Sequence, residues 1–317
     1  MIRVDSIWAV SKTDGLGSYL HLTINGLRAV IILNPRAGAG GAGGARALEL
    51  LRSSGWEVQR VEALEGLTMS SAARKAIDQG AEVVIAAGGD GTVSAVAAVV
   101  AGTRAILGVL PLGTLNHFAR DLHIPLDPRE AAKVLLRGNV GKVDVGEVNG
   151  HRFINNSSLG LYPSIVRYRE SREKTGWSRL LAFGAGCLVA LRRYRFLRLH
   201  MEIDGTVYDR RSPFLFVGNN QYEVEGLRLG QRNKLDGGKL SLYLSDRTGR
   251  FGLIRIAVSA LLKRLKMRRD FIVLPAEAVV VQAHRKRVHV ALDGEVIKMH
   301  PPLRYSIRPG ILQVFRP

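Results

Sequence analysis

Ala81-Glu-Val-Val-Ile-Ala-Ala-Gly-Gly-Asp-Gly-Thr-Val93 is an apolar, β-branched run that stops abruptly at two glycines and an acid. A small-residue helical pattern follows from Val93. That order reads as a strand feeding a tight glycine turn, Gly88–Thr92, at a helix N-terminus, where unpaired backbone N–H groups and the helix dipole favour a bound phosphate. A carboxylate at Asp90, in the middle of the turn, is out of place in a simple anion site. It makes sense if a magnesium ion accompanies the phosphates, so the turn points to nucleotide chemistry.

Around this stretch, strands and helices alternate from Leu27 to about Val140. Strands are expected at Ala29–Leu33, Glu57–Val61, Glu82–Ala86 and Ile106–Pro111. Helices are expected at Ala45–Ser53, Ser70–Gln79, from Val93, at His117–Asp121 and at Arg129–Leu136. Alternation with short connections predicts a parallel α/β sheet. After Lys142 the character changes to short strands: Val143–Val148, Arg152–Asn155, Leu197–Ile203, Val207–Arg211, Phe214–Val217, Leu240–Leu244, Phe271–Leu274, Ala278–Gln282 and Val288–Leu292. Hairpin signals at Asn149-Gly150, Asp204-Gly205 and Asp293-Gly294 separate several of them. This second part reads as a mainly antiparallel sandwich, interrupted by helical insertions at Trp177–Tyr194 and Arg250–Met267. The expected domains are an extension over 1–26 (with a short strand near His21–Ile24), an α/β domain over 27–142 and a sandwich over 143–317, whose last segment can return to the first domain.

The chain has 317 residues, a single cysteine (Cys187) and a formal net charge of +19. So strong a basic excess implies attraction to polyanions, either nucleic acid or an anionic membrane. Aromatics are few and none interleave with the basic blocks as a base-stacking surface needs, which argues against nucleic acid. One cysteine allows no internal disulfide and fits a reducing cytoplasm. Residues 1–26 lack the basic and apolar regions of a signal peptide. Leu180–Leu191, the most apolar run, is too short to span a bilayer and arginines bracket it, so a soluble or peripheral rather than integral protein is expected.

Two further segments share the strand–glycine–helix form. Val30-Ile-Ile-Leu-Asn-Pro-Arg-Ala-Gly-Ala-Gly-Gly-Ala-Gly43 contains a GxGxxG at Gly38, Gly40 and Gly43, which leaves a dinucleotide fold and a flexible glycine loop equally open at this point. Asn34-Pro35-Arg36-Ala37 intervenes before the first glycine, unlike the dinucleotide fingerprint, and no GxxxxGK[ST] is present. Gly108-Val-Leu-Pro-Leu-Gly-Thr-Leu-Asn-His-Phe-Ala-Arg120 repeats the form, with Thr114 and Asn116 expected beside the same cleft. N-capping by Thr114 is the simpler reading of that segment taken alone.

Together the three segments resemble the diacylglycerol kinase catalytic superfamily, which includes bacterial lipid kinases and sphingosine kinases. That family spells its loops NPxSG or NPxAG, GGDGT and PxGTxNxFA. This chain has Asn34-Pro35-Arg36-Ala37-Gly38, Gly88-Gly89-Asp90-Gly91-Thr92 and Pro111-Leu112-Gly113-Thr114-Leu115-Asn116-His117-Phe118-Ala119, in the same order and at similar separations. The resemblance implies a Rossmann-like domain of the NAD-kinase and diacylglycerol-kinase type, joined to a β-sandwich, with ATP bound between them. Asn34, Pro35, Arg36, Ala37, Gly38, Thr68, Gly88, Gly89, Asp90, Gly91, Thr92, Val93, Ser94, Thr114 and Asn116 would surround the nucleotide. Asp90 would work with Mg2+, since phosphoryl transfer asks mainly for positioning and charge stabilisation.

Asp293-Gly294-Glu295 is a hairpin turn on spelling alone. The family ends in a DGE at this place, which implies Glu295 as general base toward a lipid hydroxyl, with Asp293 orienting the site or assisting the metal. Bacterial relatives hold a structural magnesium at a loop placed like Asn233-Lys-Leu-Asp-Gly-Gly-Lys-Leu240. That implies Asp236 with main-chain groups of Asn233 and Gly238, and a plain turn is the competing reading. The chain departs from the pattern at His117, where relatives often have Asp. Asn156-Ser-Ser-Leu-Gly-Leu-Tyr-Pro-Ser-Ile165 also lacks the carboxylate that sphingoid-type members offer a substrate amine, which favours a neutral lipid alcohol such as diacylglycerol. Basic clusters at Arg167, Arg169, Arg172, Lys174, Arg179, Arg192, Arg193 and Arg195, and at Lys263, Arg264, Lys266, Arg268 and Arg269, suit docking to the anionic inner membrane face. An NAD-kinase-like enzyme, a sphingoid-type kinase and a non-catalytic anionic-lipid-binding module are the rival readings, and a homodimer is open.

Overall fold

A computed structural model of the chain describes residues 22–24, 27–34, 42–56, 60–62, 68–160, 197–225, 228–245, 271–283 and 286–317. Both expected helical insertions, and the basic clusters around them, lie outside the described residues. The chain divides into two compact units, one of Met1–Val143 with Gly310–Pro317, the other of Asp144–Pro309.

The first unit is built on β1 (Leu22–Ile24), β2 (Leu27–Leu33), α1 (Ala42–Ser53), β3 (Arg60–Glu62), α2 (Met69–Asp78), β4 (Val83–Gly88), α3 (Asp90–Val100), β5 (Ile106–Pro111), α4 (His117–Asp121) and α5 (Pro128–Arg137). Strands β2, β4 and β5 run parallel, with β4 in the middle. β4 is buried along its whole length, which is why it reads as a continuous apolar run rather than an alternating one. Helices pack in pairs, α1 with α5 and α2 with α3. Asp127 caps α5 by accepting the N–H groups of Arg129 and Glu130, both at 3.0 Å, and Pro128 stands at its first position.

The α3 boundary corrects the sequence reading. The helix begins at Asp90 rather than Val93, so the expected five-residue turn shrinks to Gly89 alone. Gly-Asp-Gly spells a turn by composition. An acid in the first helical turn is nevertheless favoured by the dipole, and the buried side chains of Thr92, Val93 and Val96 give the helix its packing face.

The second unit is a two-layer sandwich, which the alternating pattern predicts. The chain enters it along β6 (Val140–Val148), followed by β7 (His151–Phe153), β8 (Asn156–Gly160), β9 (Leu197–Ile203), β10 (Thr206–Ser212), β11 (Phe214–Asn219), β12 (Glu223–Glu225), β13 (Arg228–Gln231), β14 (Leu240–Leu244), β15 (Ile272–Ala276), β16 (Ala278–Gln282), β17 (Val288–Leu292), β18 (Glu295–Met299) and β19 (Leu303–Phe315). One layer has the order β15-β14-β11-β8-β17-β18, and the other joins the start of β19 to β16, β9 and β10. Leu199, Met201 and Ile203 of β9 alternate with exposed neighbours and form one core with Leu215, Val217, Leu242 and Val290 of the facing layer. Each such side chain, once buried, contributes about 1.5–3 kcal/mol.

Three hairpins turn on Asn149-Gly150, Asp204-Gly205 and Asp293-Gly294, each with both residues at positive φ. That is the primed turn geometry that matches strand twist. All three use one device. The side chain of the first turn residue accepts backbone N–H groups from a separate segment: Asn149 from Arg304, Asp204 from Glu277 and Ala278, and Asp293 from Ile154, Asn155 and Asn156.

Tyr305 sits at the centre of the sandwich core, with its hydroxyl 3.0 Å from Ser157 Oγ. Burial pushes its phenol well above the ordinary value of 10.0, and the Ser157 bond opposes this only in part. The unfolded chain therefore loses this proton at lower pH than the folded one. The contribution of Tyr305 to stability is intact below pH 10.0 and declines as pH rises past it. In Tyr305→Phe, the fall of Tm between about pH 9 and about pH 11 should be shallower than in the parent by calorimetry. Equal slopes would rule out Tyr305 as the source.

Candidate active site

Leu33 of β2 lies opposite Ala87, and Gly88 of β4 opposite Pro111, so the loops after β2, β4 and β5 leave the sheet at one level. They carry Asn34, Gly89 and Gly113–Asn116. Ligands gather at the carboxyl ends of parallel strands for this reason.

Asp90 joins two of these loops. Its Oδ2 accepts the Asn116 N–H at 2.9 Å and its Oδ1 the His117 N–H at 2.6 Å. Such charge-assisted bonds are about twice as strong as neutral ones. Asn34 brings in the third loop: its N–H donates to the Ala87 carbonyl at 3.1 Å and its Nδ2 to Thr92 Oγ1 at 3.2 Å. Asn116, at φ 51°, folds its amide back onto Gly113, accepting the N–H at 3.0 Å and donating to the carbonyl at 2.8 Å. The N-cap of α4 is Asn116, so the competing reading of Thr114 as a helix cap does not hold. Thr114 is exposed.

The start of α3 has the donors and the room for a phosphate. Gly89 as N-cap offers no side chain to the first-turn N–H groups. A Cβ placed on Gly91 would meet nothing within 4 Å among the described residues. Unsatisfied N–H groups under open space fit an oxyanion. Among the described residues Asp90 is a lone carboxylate here, which suits Mg2+, since that ion keeps several waters and takes one or two carboxylates plus phosphate oxygens. Ser94 is buried, and its hydroxyl has no partner among the described residues. Val93 is buried with its N–H on the Gly89 carbonyl, and Thr68 caps α2 by accepting the Ser71 N–H at 3.1 Å. Pro35, Arg36, Ala37 and Gly38 lie outside the described residues.

Gly113 is where close approach matters most. A Cβ there would run into the Gly89 Cα and come within 2.8 Å of Asn116 Oδ1. Gly113→Ala should therefore cost about 1–3 kcal/mol, the range for overpacking, and this is measurable by urea unfolding. An unchanged midpoint would show that the two loops part freely.

In the second unit, Asp293 occupies the β17–β18 turn. Its Oδ2 accepts the Ile154 N–H at 2.8 Å, and its Oδ1 accepts Asn155 at 2.8 Å and Asn156 at 2.9 Å. Glu295 opens β18 opposite Leu292 and is exposed. The Asn233–Gly238 loop is tied from within the sandwich. Asp144 Oδ2 accepts the Gly238 N–H at 2.7 Å, and Asn220 Oδ1 accepts the Gly237 N–H at 2.9 Å. Asp236 itself is exposed. No group of three or more His, Cys, Asp or Glu able to hold a metal occurs among the described residues.

Sequence reasoning missed the buried polar residues behind these loops. Asp144 is 2% exposed. Asn219 Nδ2 donates to the carbonyls of Asp144 at 2.8 Å and Ile154 at 2.9 Å. Asn219 Oδ1 and Asn220 Nδ2 are buried without a partner among the described residues. One signal for Asp144 was available: a single acid between Val143 and Val145 in an apolar strand rarely stays buried without a purpose.

Residues 28–148 match the diacylglycerol kinase catalytic domain family, and residues 166–316 match the YegS C-terminal NAD kinase beta sandwich-like domain family. Curated proteins named diacylglycerol kinase from Staphylococcus aureus, strains JH9 and Newman among them, are 32% identical over 178 residues, which is 56% of this chain and 56% of theirs. The chain thus spans little more than half the length of those relatives. A crystal structure of a diacylglycerol kinase from Bacillus anthracis str. Sterne superposes with a TM-score of 0.66 at 19% identity, covering 91% of this chain and 96% of that one. Another from the same organism, provisionally named a diacylglycerol kinase, gives a TM-score of 0.74 at 22% identity, covering 91% and 97%. At those identities the likeness to the solved structures is one of fold. Among the described residues, no helix is long and apolar enough to cross a membrane.

Proposed function

The chain belongs to the diacylglycerol kinase catalytic superfamily, and we propose that it is an ATP-dependent lipid kinase acting on a neutral lipid alcohol, diacylglycerol in the first instance. The observation that carries this reading is the Asp90 clasp. One carboxylate holds the amides of Asn116 and His117, while Asn34 reaches Thr92, so the three segments that spell the family's motifs meet at the carboxyl ends of β2, β4 and β5. The relatives named diacylglycerol kinase supply the acceptor class.

In this reading the first-turn amides of α3 receive the nucleotide phosphates, and Asn34 and Thr92 line their approach. Asp90 would hold the accompanying magnesium ion, which would neutralise charge on the phosphates. Glu295 accepts the proton of the lipid hydroxyl as its oxygen attacks the γ-phosphorus. The bond from that phosphorus to the β,γ-bridging oxygen breaks, and ADP leaves with the electron pair. Catalysis of this kind rests on positioning and electrostatics more than on covalent chemistry. The Asn233, Asp236 and Gly238 loop is proposed as a separate structural Mg2+ site, one carboxylate with main-chain oxygens being a donor set that a hard cation accepts. The basic balance of the chain, +19, supports peripheral docking on an anionic cytoplasmic membrane face.

The test is transfer of labelled γ-phosphate from ATP to diacylglycerol, monoacylglycerol and sphingosine presented in anionic vesicles. Label in the phosphate of the diacylglycerol product is expected, and Asp90→Asn should lower it about tenfold or more, because one oxygen of the clasp is lost. Absence of transfer to every lipid would overturn the kinase reading. Sedimentation with the vesicles should weaken as salt rises.

A further inference from the structure

Arg232 is 2% exposed, the largest side chain among the described residues to be so fully buried. Its guanidinium has no acceptor atom and stays charged, so burial is costly unless its donors are placed. They are placed on one short segment and its neighbour. Nη1 donates to the Ile154 carbonyl at 2.7 Å and the Asn219 carbonyl at 2.9 Å, and Nη2 donates to Asn155 Oδ1 at 2.9 Å. The ring of Tyr222 lies beneath, with its centroid 5.2 Å from Cζ. The same segment is gripped from its other side, since the N–H groups of Ile154, Asn155 and Asn156 all point at the Asp293 carboxylate. Residues 154–156 are thus clamped between a buried cation on oxygens of Ile154 and Asn155 and an anion on all three amides. Asp293 is the turn residue of the hairpin, and Glu295 begins the strand beyond Gly294.

We propose that Arg232 is a positioning residue for the Asp293–Glu295 hairpin, setting through segment 154–156 where Glu295 stands. The inference rests on the proposed role of Glu295. Nothing in Gln231-Arg232-Asn233-Lys234 marks it, because a polar run of that kind ordinarily reads as solvated loop.

The test pairs hydrogen–deuterium exchange with steady-state kinetics on the full chain, comparing the parent, Arg232→Lys and Asn155→Ala. Lysine keeps the charge and loses the planar fork; alanine removes a single acceptor and serves if Arg232→Lys does not fold. In Arg232→Lys, amides of 154–156 should exchange about tenfold faster while those of Val83–Gly88 stay unchanged. Its kcat should fall about tenfold or more with KM for ATP within about twofold, the pattern of a displaced catalytic group. Asn155→Ala should move both readouts in the same direction by about threefold. Unchanged exchange at 154–156 would overturn the coupling. Faster exchange with a parent-like kcat would overturn the positioning role. If the parent transfers phosphate to no lipid, the kinase reading is what fails, and the exchange experiment still decides whether Arg232 holds the segment.

Discussion

Glu295→Gln should lower the rate of lipid phosphorylation about 10²- to 10⁴-fold, the range for removing a general base, with KM for ATP and Tm close to those of the parent. The side chain is exposed and makes no hydrogen bond or ion pair among the described residues, so glutamine removes proton affinity and little else. Single-turnover measurements with labelled ATP would place the loss in the chemical step rather than in binding. A parent-like rate would end the case for Glu295 as the base while leaving the family assignment untouched.

Asp293→Asn should cost about 2–4 kcal/mol of stability by urea unfolding. The carboxylate now accepts three N–H groups through two oxygens. An amide offers one oxygen and turns an NH2 group toward at least one donor, leaving a part-buried N–H without an acceptor. Asp204→Asn is the internal control. Its turn has the same positive-φ form, and its carboxylate takes the amides of Glu277 and Ala278 at an exposed position. It should cost about 1 kcal/mol and leave kcat unchanged. The two aspartates share a fold role, so their difference isolates what segment 154–156 adds. Equal losses in both variants, with equal kcat, would reduce the Asp293 clasp to a hairpin staple.

Much of this fold was legible because period and punctuation agreed. β5, β9, β14, β16 and β17 lie where alternation or apolar runs bounded by turn residues put them, and all three hairpin dipeptides turn as their spelling dictates. What was not legible had specific causes. Asn156-Ser-Ser scores poorly as strand, yet β8 is held between β11 and β17 by pairing on both edges. Pro309-Gly310 reads as a break and hides the continuity of β19 across it. At the candidate site, the three glycine-rich motifs announce themselves because each is one continuous stretch of sequence. The buried support does not, since Asp144, Asn155, Asn219 and Arg232 come from four separate stretches of the chain and take their meaning only from the tertiary structure.

The return of β19 to the first unit bears on how the chain is made. Gln313 and Val314 pair with Ile106 and Leu107, so the outer edge of β5 has no partner strand until residues about 200 positions later have been synthesised. At ribosomal speeds of about 5–20 residues per second, that edge waits roughly 10–40 s. Through that interval, the parallel sheet beneath Asp90 is a half-finished template with an open, apolar border, the kind of surface that recruits a second nascent chain. Chaperone demand during synthesis should therefore track exposure of the Ile106–Pro111 strand rather than the marginal stability of either finished unit.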